Sequence, residues 1–180
     1  RFFTSENESE VYELACRLGE YNLSRQQLCD EAYRAAKEKL RAEGAWGNVI
    51  MLQDEDWNQG LIGIVAARLV EEFRRPCILF ARRGDRLKGS ARTVENINIY
   101  EALKACSAHV LEFGGHAQAA GVTIECEQFG PLKEALDAYI GKTYGSGAGL
   151  PSFSVCAEVG EIDLETAREL ERLEPCGVGN

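Results

Sequence analysis

Residues 113–121 read Phe-Gly-Gly-His-Ala-Gln-Ala-Ala-Gly, and residues 88–92 read Lys-Gly-Ser-Ala-Arg. Each stretch combines a side chain that can grip an anion with neighbours that add no bulk. In the first, Gly114 and Gly115 reach positive φ at little cost, so successive N–H groups can turn toward one point and cradle an anion. His116 supplies a donor beside that cradle, and Ala117, Ala119, Ala120 and Gly121 leave room for a ligand or for a tightly packed helix. In the second, Arg92 can hold a phosphate bidentately, Ser90 can donate and Gly89 permits close approach. Two plainer readings stand beside these. A Gly-Gly turn ahead of a buried helix has the same local grammar, and a solvated hairpin accounts for the cations.

Bond-breaking chemistry is harder to find. Phosphodiester hydrolysis commonly uses paired metals held by clustered Asp and His. This chain has only His109 and His116, and Asp30, Asp54, Asp56, Asp85, Asp137 and Asp163 make no such cluster. Asp54-Glu55-Asp56 reads as a solvated acidic loop. The seven cysteines, Cys16, Cys29, Cys77, Cys106, Cys126, Cys156 and Cys176, are odd in number and never spaced C-x-x-C. That spacing argues against a disulfide framework and a zinc site, and most are expected in the core. No phosphate-binding Gly-x-x-x-x-Gly-Lys-Ser loop and no Gly-x-Ser-x-Gly elbow is present. No metal ligand is assigned in these residues.

The net charge of −9 opposes a polyanionic partner, but its distribution does not. Arg82, Arg83, Arg86, Lys88 and Arg92 face only Asp85 within one short stretch. This basic strip offers auxiliary nucleic-acid contacts at Arg82, Arg83, Arg86 and Lys88. No run approaches a membrane span, and the first residues do not read as a signal peptide, so a cytoplasmic location without membrane contact is expected.

These groups must be positioned by an α/β fold. Ser5-x-x-Glu8 and Ser24-x-x-Gln27 each fit a capping box, predicting one or two helices over 6–43 with a kink near Tyr21–Ser24 and an end at Gly44. Asn48 to Leu52 reads as a buried strand. Ile62, Val65, Ala66, Leu69, Val70 and Phe73 recur with helical period over 60–75. Pro76 then stops the helix and Cys77 to Ala81 forms a second apolar strand, the order of a parallel crossover. Arg82 to Asp85 read as a hairpin turn and Leu87 to Arg92 as the returning strand. Asn98-x-x-Glu101 caps another helix, Val122 to Glu125 forms a strand, and Phe129, Leu132, Leu136, Tyr139 and Ile140 mark a last amphipathic helix. Both anion-suited segments fall at strand ends, where ligands of α/β sheets usually bind. Gly145-Ser146-Gly147-Ala148-Gly149 reads as a linker. It gives three regions: a connecting helical segment, 1–44; an α/β domain with a mixed sheet flanked by helices, 45–143; and a tail, 144–180, with a strand over 153–159 and a helix over 163–173.

The segment Trp57-Asn58-Gln59-Gly60-Leu61-Ile62-Gly63-Ile64-Val65-Ala66, then Lys88-Gly89-Ser90-Ala91-Arg92, then Phe113-Gly114-Gly115-His116 with Ala119-Ala120-Gly121, resemble the DHH-associated C-terminal domain of RecJ-type exonucleases. The Gly-Gly-His element alone is shared with other DHH phosphoesterases and a domain of alanyl-tRNA synthetase. The Trp-Asn segment and Asn22-Leu23-Ser24-Arg25-Gln26 favour RecJ, and the tail resembles the start of that family's oligonucleotide-binding region. The resemblance implies a part of an enzyme that degrades single-stranded DNA from its 5′ end in recombination and repair. Its manganese or magnesium would sit in an N-terminal DHH domain, absent here, so the chain alone would be inactive. Carried over by position, the resemblance implies that Arg92, His116, Ser90, Gly114 and Gly115 contact the terminal phosphate or backbone. Arg92 and His116 would support catalysis without performing it. Single-stranded DNA is the implied partner, with a single-stranded-DNA-binding protein as a further candidate. Two alternatives remain open: a phosphodiesterase of short oligonucleotides or cyclic dinucleotides, and a non-catalytic nucleic-acid-binding module.

Overall fold

A computed structural model describes residues 2–5, 7–44 and 46–145 of the chain. The chain divides into two compact units, Arg1–Leu150 and Pro151–Asn180. The strand and helix expected over 153–173 lie outside the described residues.

The N-terminal region is one unbroken helix, α1 (Glu8–Glu43), of 36 residues, about 54 Å at 1.5 Å per residue. The two expected capping boxes are both corrected. Asn7 is the cap, accepting from the amides of Ser9 and Glu10 at 3.0 and 3.3 Å. Ser5 instead donates to Glu10 Oε2 at 2.6 Å. Ser24 sits exposed inside the helix. Its capping pattern has no effect because no proline or positive-φ glycine ahead of it interrupts the backbone ladder. Gly44, at φ 72°, ends α1 as expected. Only the second half of α1 packs: Cys29, Ala36 and Leu40 are buried, whereas Tyr12, Leu18, Tyr21 and Leu23 are exposed.

Strand β1 (Ile50–Asp54) pairs in parallel with β2 (Cys77–Arg83), and α2 (Ile62–Phe73) connects them, as the apolar periodicity predicts. β1 begins two residues later than expected because Asn48 is committed elsewhere. Its amide donates to the Asp137 carboxylate and its Nδ2 donates to the Asp137 carbonyl at 3.2 Å. A two-residue turn with Gly84 at φ 62° returns the chain into β3 (Arg86–Arg92), antiparallel to β2. Asn98 then caps α3 (Ile99–Ala105) by accepting from the Glu101 amide. β4 (Glu112–Gly115) and β5 (Ala119–Glu125) form a hairpin, and α4 (Phe129–Tyr144) closes the domain. The sheet order is β1-β2-β3-β5-β4, a mixed sheet.

The period of two along each strand divides the molecule into two faces. One face carries Ile78, Phe80, Leu87, Ala91, Val122 and Ile124, all buried. It packs under α3 and α4; Phe80 meets Phe129 edge-on with ring centroids 5.9 Å apart, and Phe113 meets Tyr100 at 5.4 Å. α2 covers the other face over β2 and β3, and α1 lies against α2, tied by Arg68–Asp30 at 2.6 Å and Lys37–Glu72 at 2.5 Å. β5 and β4 therefore keep an uncovered strip on that side, where Glu112, Gly114 and Gly121 are exposed. Among the cysteines, Cys29, Cys77 and Cys106 are core residues. Burial raises the thiol pKa of Cys77 and Cys106, keeping both protonated and unreactive.

Gly89 lies between Phe80 and Val122 in the register and yields its volume to them. A methyl there would sit 2.6 Å from Phe80 Cε1 and 2.9 Å from Val122 Cγ1. Gly89→Ala is therefore expected to lower stability in urea unfolding by about 1–3 kcal/mol, the usual cost of overpacking, and Phe80→Leu in that background should recover part of it.

Candidate nucleic-acid interface

β3 is the strand that sorts core from site. Leu87, Gly89 and Ala91 point inward, while Arg86, Lys88, Ser90 and Arg92 share the opposite face. Arg92 does not extend into solvent. Its Nη1 donates to Ser90 Oγ at 3.0 Å and to the Ala91 carbonyl at 2.8 Å, so the guanidinium folds back over its own strand. α2 comes close above it: a methyl at Gly63 would lie 2.9 Å from both Arg92 Nη2 and Ser90 Oγ. Gly63 thus makes the space for this pair. The Nε and Nη2 groups of Arg92 have no acceptor among the described residues, and neither Arg92 nor Lys88 forms an ion pair there.

His116 arrives at the same end of the sheet by a different route. Arg92 is the register partner of Ala119, and Ala119 exchanges both backbone hydrogen bonds with His116, at 2.8 and 3.3 Å. The turn that carries His116 is fixed from outside. The Thr93 amide donates to the Gln118 carbonyl at 3.2 Å, the Ile99 amide to the Ala117 carbonyl at 2.9 Å, and Gln118 Nε2 to the Glu95 carbonyl at 3.1 Å. His116 is exposed and its ring has no partner among the described residues, in contrast to His109, whose Nδ1 lies 2.8 Å from Gln128 Oε1.

Two geometric expectations are corrected. Gly114 and Gly115 do not form a nest of turned N–H groups; they are the end of β4, paired with Gly121 and Ala120. The three residues His116 to Gln118 make the turn instead. Gly115 is still required there: its φ is 149°, and a methyl would lie 2.3 Å from the Ala119 carbonyl oxygen. Gly114, by contrast, faces open space. The other correction concerns the strand ends. Arg92 is level with Cys77, the first residue of β2. The Arg92–His116 end is therefore the amino end of the parallel pair, because β3 runs against β2.

The remaining cations of the basic strip lie toward the far end of β2 and β3. Arg82 donates to the Gly84 carbonyl, Arg83 to the carbonyls of Arg82 and Trp57, and Arg86 lies 3.6 Å from Glu125. Lys88 is closer to Ser90 and Arg92 along one strand face. It also lines a trough of about 340 Å3 with Gln59, Gly89, Glu112, Phe113, Gly114, Gly121, Val122 and Thr123. Sequence reading did not single out Gln59, Glu112 or Thr123. For Glu112 and Thr123 the only signal is the register Lys88–Thr123–Glu112, which joins residues far apart in the chain; Gln59 lies in the segment ahead of α2.

Among the described residues, the acidic loop Asp54-Glu55-Asp56 is engaged within the protein. Asp54 accepts from the Asp56 amide at 2.9 Å and pairs with Lys39 at 3.1 Å. No group of three or more His, Cys, Asp or Glu capable of holding a metal occurs among the described residues.

The DHHA1 domain family matches residues 47–142. The chain is 31% identical over 180 residues to the single-stranded-DNA-specific exonuclease RecJ of Bacillus subtilis, a match covering 98% of the chain and 23% of that protein. The crystal structure of RecJ in complex with Mg2+ from Thermus thermophilus superposes with a TM-score of 0.75 at 30% identity, covering 100% of the chain and 28% of that structure. An exonuclease RecJ structure bound to manganese gives a TM-score of 0.65 at 31% identity, covering 77% of the chain and 34% of that structure. The chain thus spans about a quarter of the length of the Bacillus relative, 23%.

The unequal roles of the two adjacent glycines can be read in urea denaturation. Gly115→Ala should cost about 2 kcal/mol or more, since it adds a backbone clash to an unfavourable φ. Gly114→Ala should stay within about 0.5 kcal/mol of the parent. Thr93 Oγ1 is buried with no partner among the described residues. Thr93→Val should accordingly raise stability by about 1 kcal/mol, removing an uncompensated desolvation cost.

Proposed function

From the premise that this chain belongs to the DHHA1 domain family, we propose that it is the substrate-holding part of a RecJ-like 5′–3′ single-stranded-DNA exonuclease acting in recombination and repair. The observation that carries this reading is the placing of Arg92 and His116 at one end of the sheet, with Ala119 between them. Two strands and an anchored turn bring them to one end of the sheet, and the Nε and Nη2 groups of Arg92 have no acceptor among the described residues. Such a guanidinium suits a phosphate, whose oxygens accept two parallel N–H bonds.

In this reading Arg92 holds the terminal phosphate or backbone of the strand, and Ser90 keeps the guanidinium flat against the sheet. His116 adds a donor from the turn, Gly115 lets the turn close, and Gly114 leaves the neighbouring surface bare. Lys88 meets a phosphate further along, with Arg82, Arg83 and Arg86 as weaker, more distant contacts. Hydrolysis itself is supplied from outside the described residues, by a domain binding manganese or magnesium. The contribution of this chain is positional: a phosphate fixed relative to the attacking group makes the reaction effectively intramolecular. A cytoplasmic setting and a single-stranded-DNA-binding protein as partner belong to the same reading.

Single-strand binding should weaken with salt, at a log–log slope of about −0.7 for each phosphate contact, hence about −1.4 for Arg92 and Lys88 together. Arg92→Ala should cut affinity about tenfold or more and reduce the slope by about 0.7, with unchanged circular dichroism. A salt-independent affinity would contradict the clamp. Incubated with manganese or magnesium and 5′-labelled single strands, the purified chain should release no nucleotides; digestion abolished by Arg92→Ala would overturn the division of labour.

A further inference from the structure

The turn that carries His116 is held by the segment 93–98, which runs from the end of β3 to the cap of α3, and by the first residue of that helix. Two of the holds are backbone bonds and need no particular side chain: the Thr93 amide to the Gln118 carbonyl at 3.2 Å and the Ile99 amide to the Ala117 carbonyl at 2.9 Å. Two further bonds depend on side chains. Gln118 Nε2 donates to the Glu95 carbonyl at 3.1 Å, and the Tyr144 hydroxyl accepts from the Asn98 amide at 3.2 Å. Both reach the segment from far along the chain, 23 and 46 residues away.

Neither bond is accounted for by packing. Gln118 is exposed, so its amide exchanges a water partner for the Glu95 carbonyl with little net gain, while a long side chain gives up its rotamer freedom. What the bond fixes is the place of the turn. Tyr144 is half-buried in the last turn of α4, and its hydroxyl meets the amide next to the one that holds Ala117. Asn98 lies between those two amides. Its backbone is locked at φ −87° and ψ 101° as the cap of α3, with its side chain accepting from the Glu101 amide. Holding the Asn98 amide therefore orients the Ile99 amide, and through Ala117 the turn beside it.

We propose that Gln118 and Tyr144 are positioning residues of the phosphate site: they touch no ligand and act through His116, whose place relative to Arg92 they fix. The proposal rests on the clamp reading. Arg92 ends β3 and the segment begins at the next residue, so one short stretch of chain starts at one half of the clamp and grips the other. With both holds in place the two donors stand at a set spacing before an anion arrives, and less ordering cost falls on binding. Without them Arg92 keeps its place, which the β3–β5 ladder and Ser90 determine, and the contribution of His116 alone is lost. Each of the two side chains thus matters to phosphate only while His116 is present.

The test is a set of double-mutant cycles on the 180-residue chain, read as affinity for a short 5′-phosphorylated single strand of thymidines, with circular dichroism as the control on the fold. Gln118→Met and Tyr144→Phe nearly keep the shape of each side chain and remove its hydrogen-bonding group. Each should weaken binding about threefold in the parent chain and have no effect once His116 is replaced by alanine. Amide relaxation measured by NMR should show the His116 and Ala117 backbone more mobile in both variants and Arg92 unchanged. If His116→Ala weakens binding but the two variants do not, the positioning role is overturned and the clamp stands. Losses that persist in the His116→Ala background also overturn it, because a general loss of structure does not pass through that ring. If neither Arg92→Ala nor His116→Ala weakens binding, the clamp falls and the positioning role falls with it. Should Tyr144→Phe fail to fold, Gln118→Met, at an exposed position, decides the matter.

Discussion

The seven-residue antiparallel ladder between β3 and β5, from Arg86 opposite Glu125 to Arg92 opposite Ala119, is the constraint on which the rest of the domain depends. With β2 on its other side, it pins β3 in a single register, and the two-residue period then assigns every side chain of that strand a destination. Leu87 and Ala91 enter the core while Lys88, Ser90 and Arg92 reach the open face. A slip of one residue would bury the cations and expose the apolar residues, a double penalty of desolvated charge and lost burial. The same ladder carries Ala119, and through it His116, to the Arg92 end of the sheet.

The elements that were legible in the sequence are those whose signal is local. The period of α2, the Pro76 boundary and the Asn98 cap all act within a few residues, and the structure follows them. Of the one or two helices expected over 6–43 the structure has one, because a capping serine announces a helix start only if something has ended the preceding turn, and nothing around Tyr21 does so. The chemistry-bearing residues Arg92, Ser90, His116 and Gly114 were likewise visible as types in short motifs. Their arrangement was not, because the Gly-Gly pair could equally make a turn or a strand end until its pairing with Gly121 and Ala120 was known. Glu112 and Thr123 carry no local mark at all; only the register makes them neighbours of Lys88.

The glycines show how one residue type answers two demands. Gly63 and Gly89 give up volume to the guanidinium and to a phenyl ring, and Gly115 supplies a backbone angle, so these serve the scaffold. Gly114 and Gly121 serve no packing purpose and weaken the strands that carry them. A fold selected only for stability would place β-branched side chains there. The open face has kept main chain at its surface instead.

The unequal packing of α1 has a mechanical consequence. Its second half is held against α2 through Cys29, Ala36, Leu40 and the Asp30 and Lys37 ion pairs, whereas the stretch from Glu8 to Leu28 stands largely exposed. That stretch is a cantilever of roughly 30 Å, at 1.5 Å per residue. Tilting its root by about 5° moves its tip by about 2.5 Å, on the same rise per residue. Small repacking at Leu40 or Tyr33 is thereby amplified at a point far from the sheet, so the stiffness of those few root contacts governs how accurately the open face is aimed at anything borne on the helix tip.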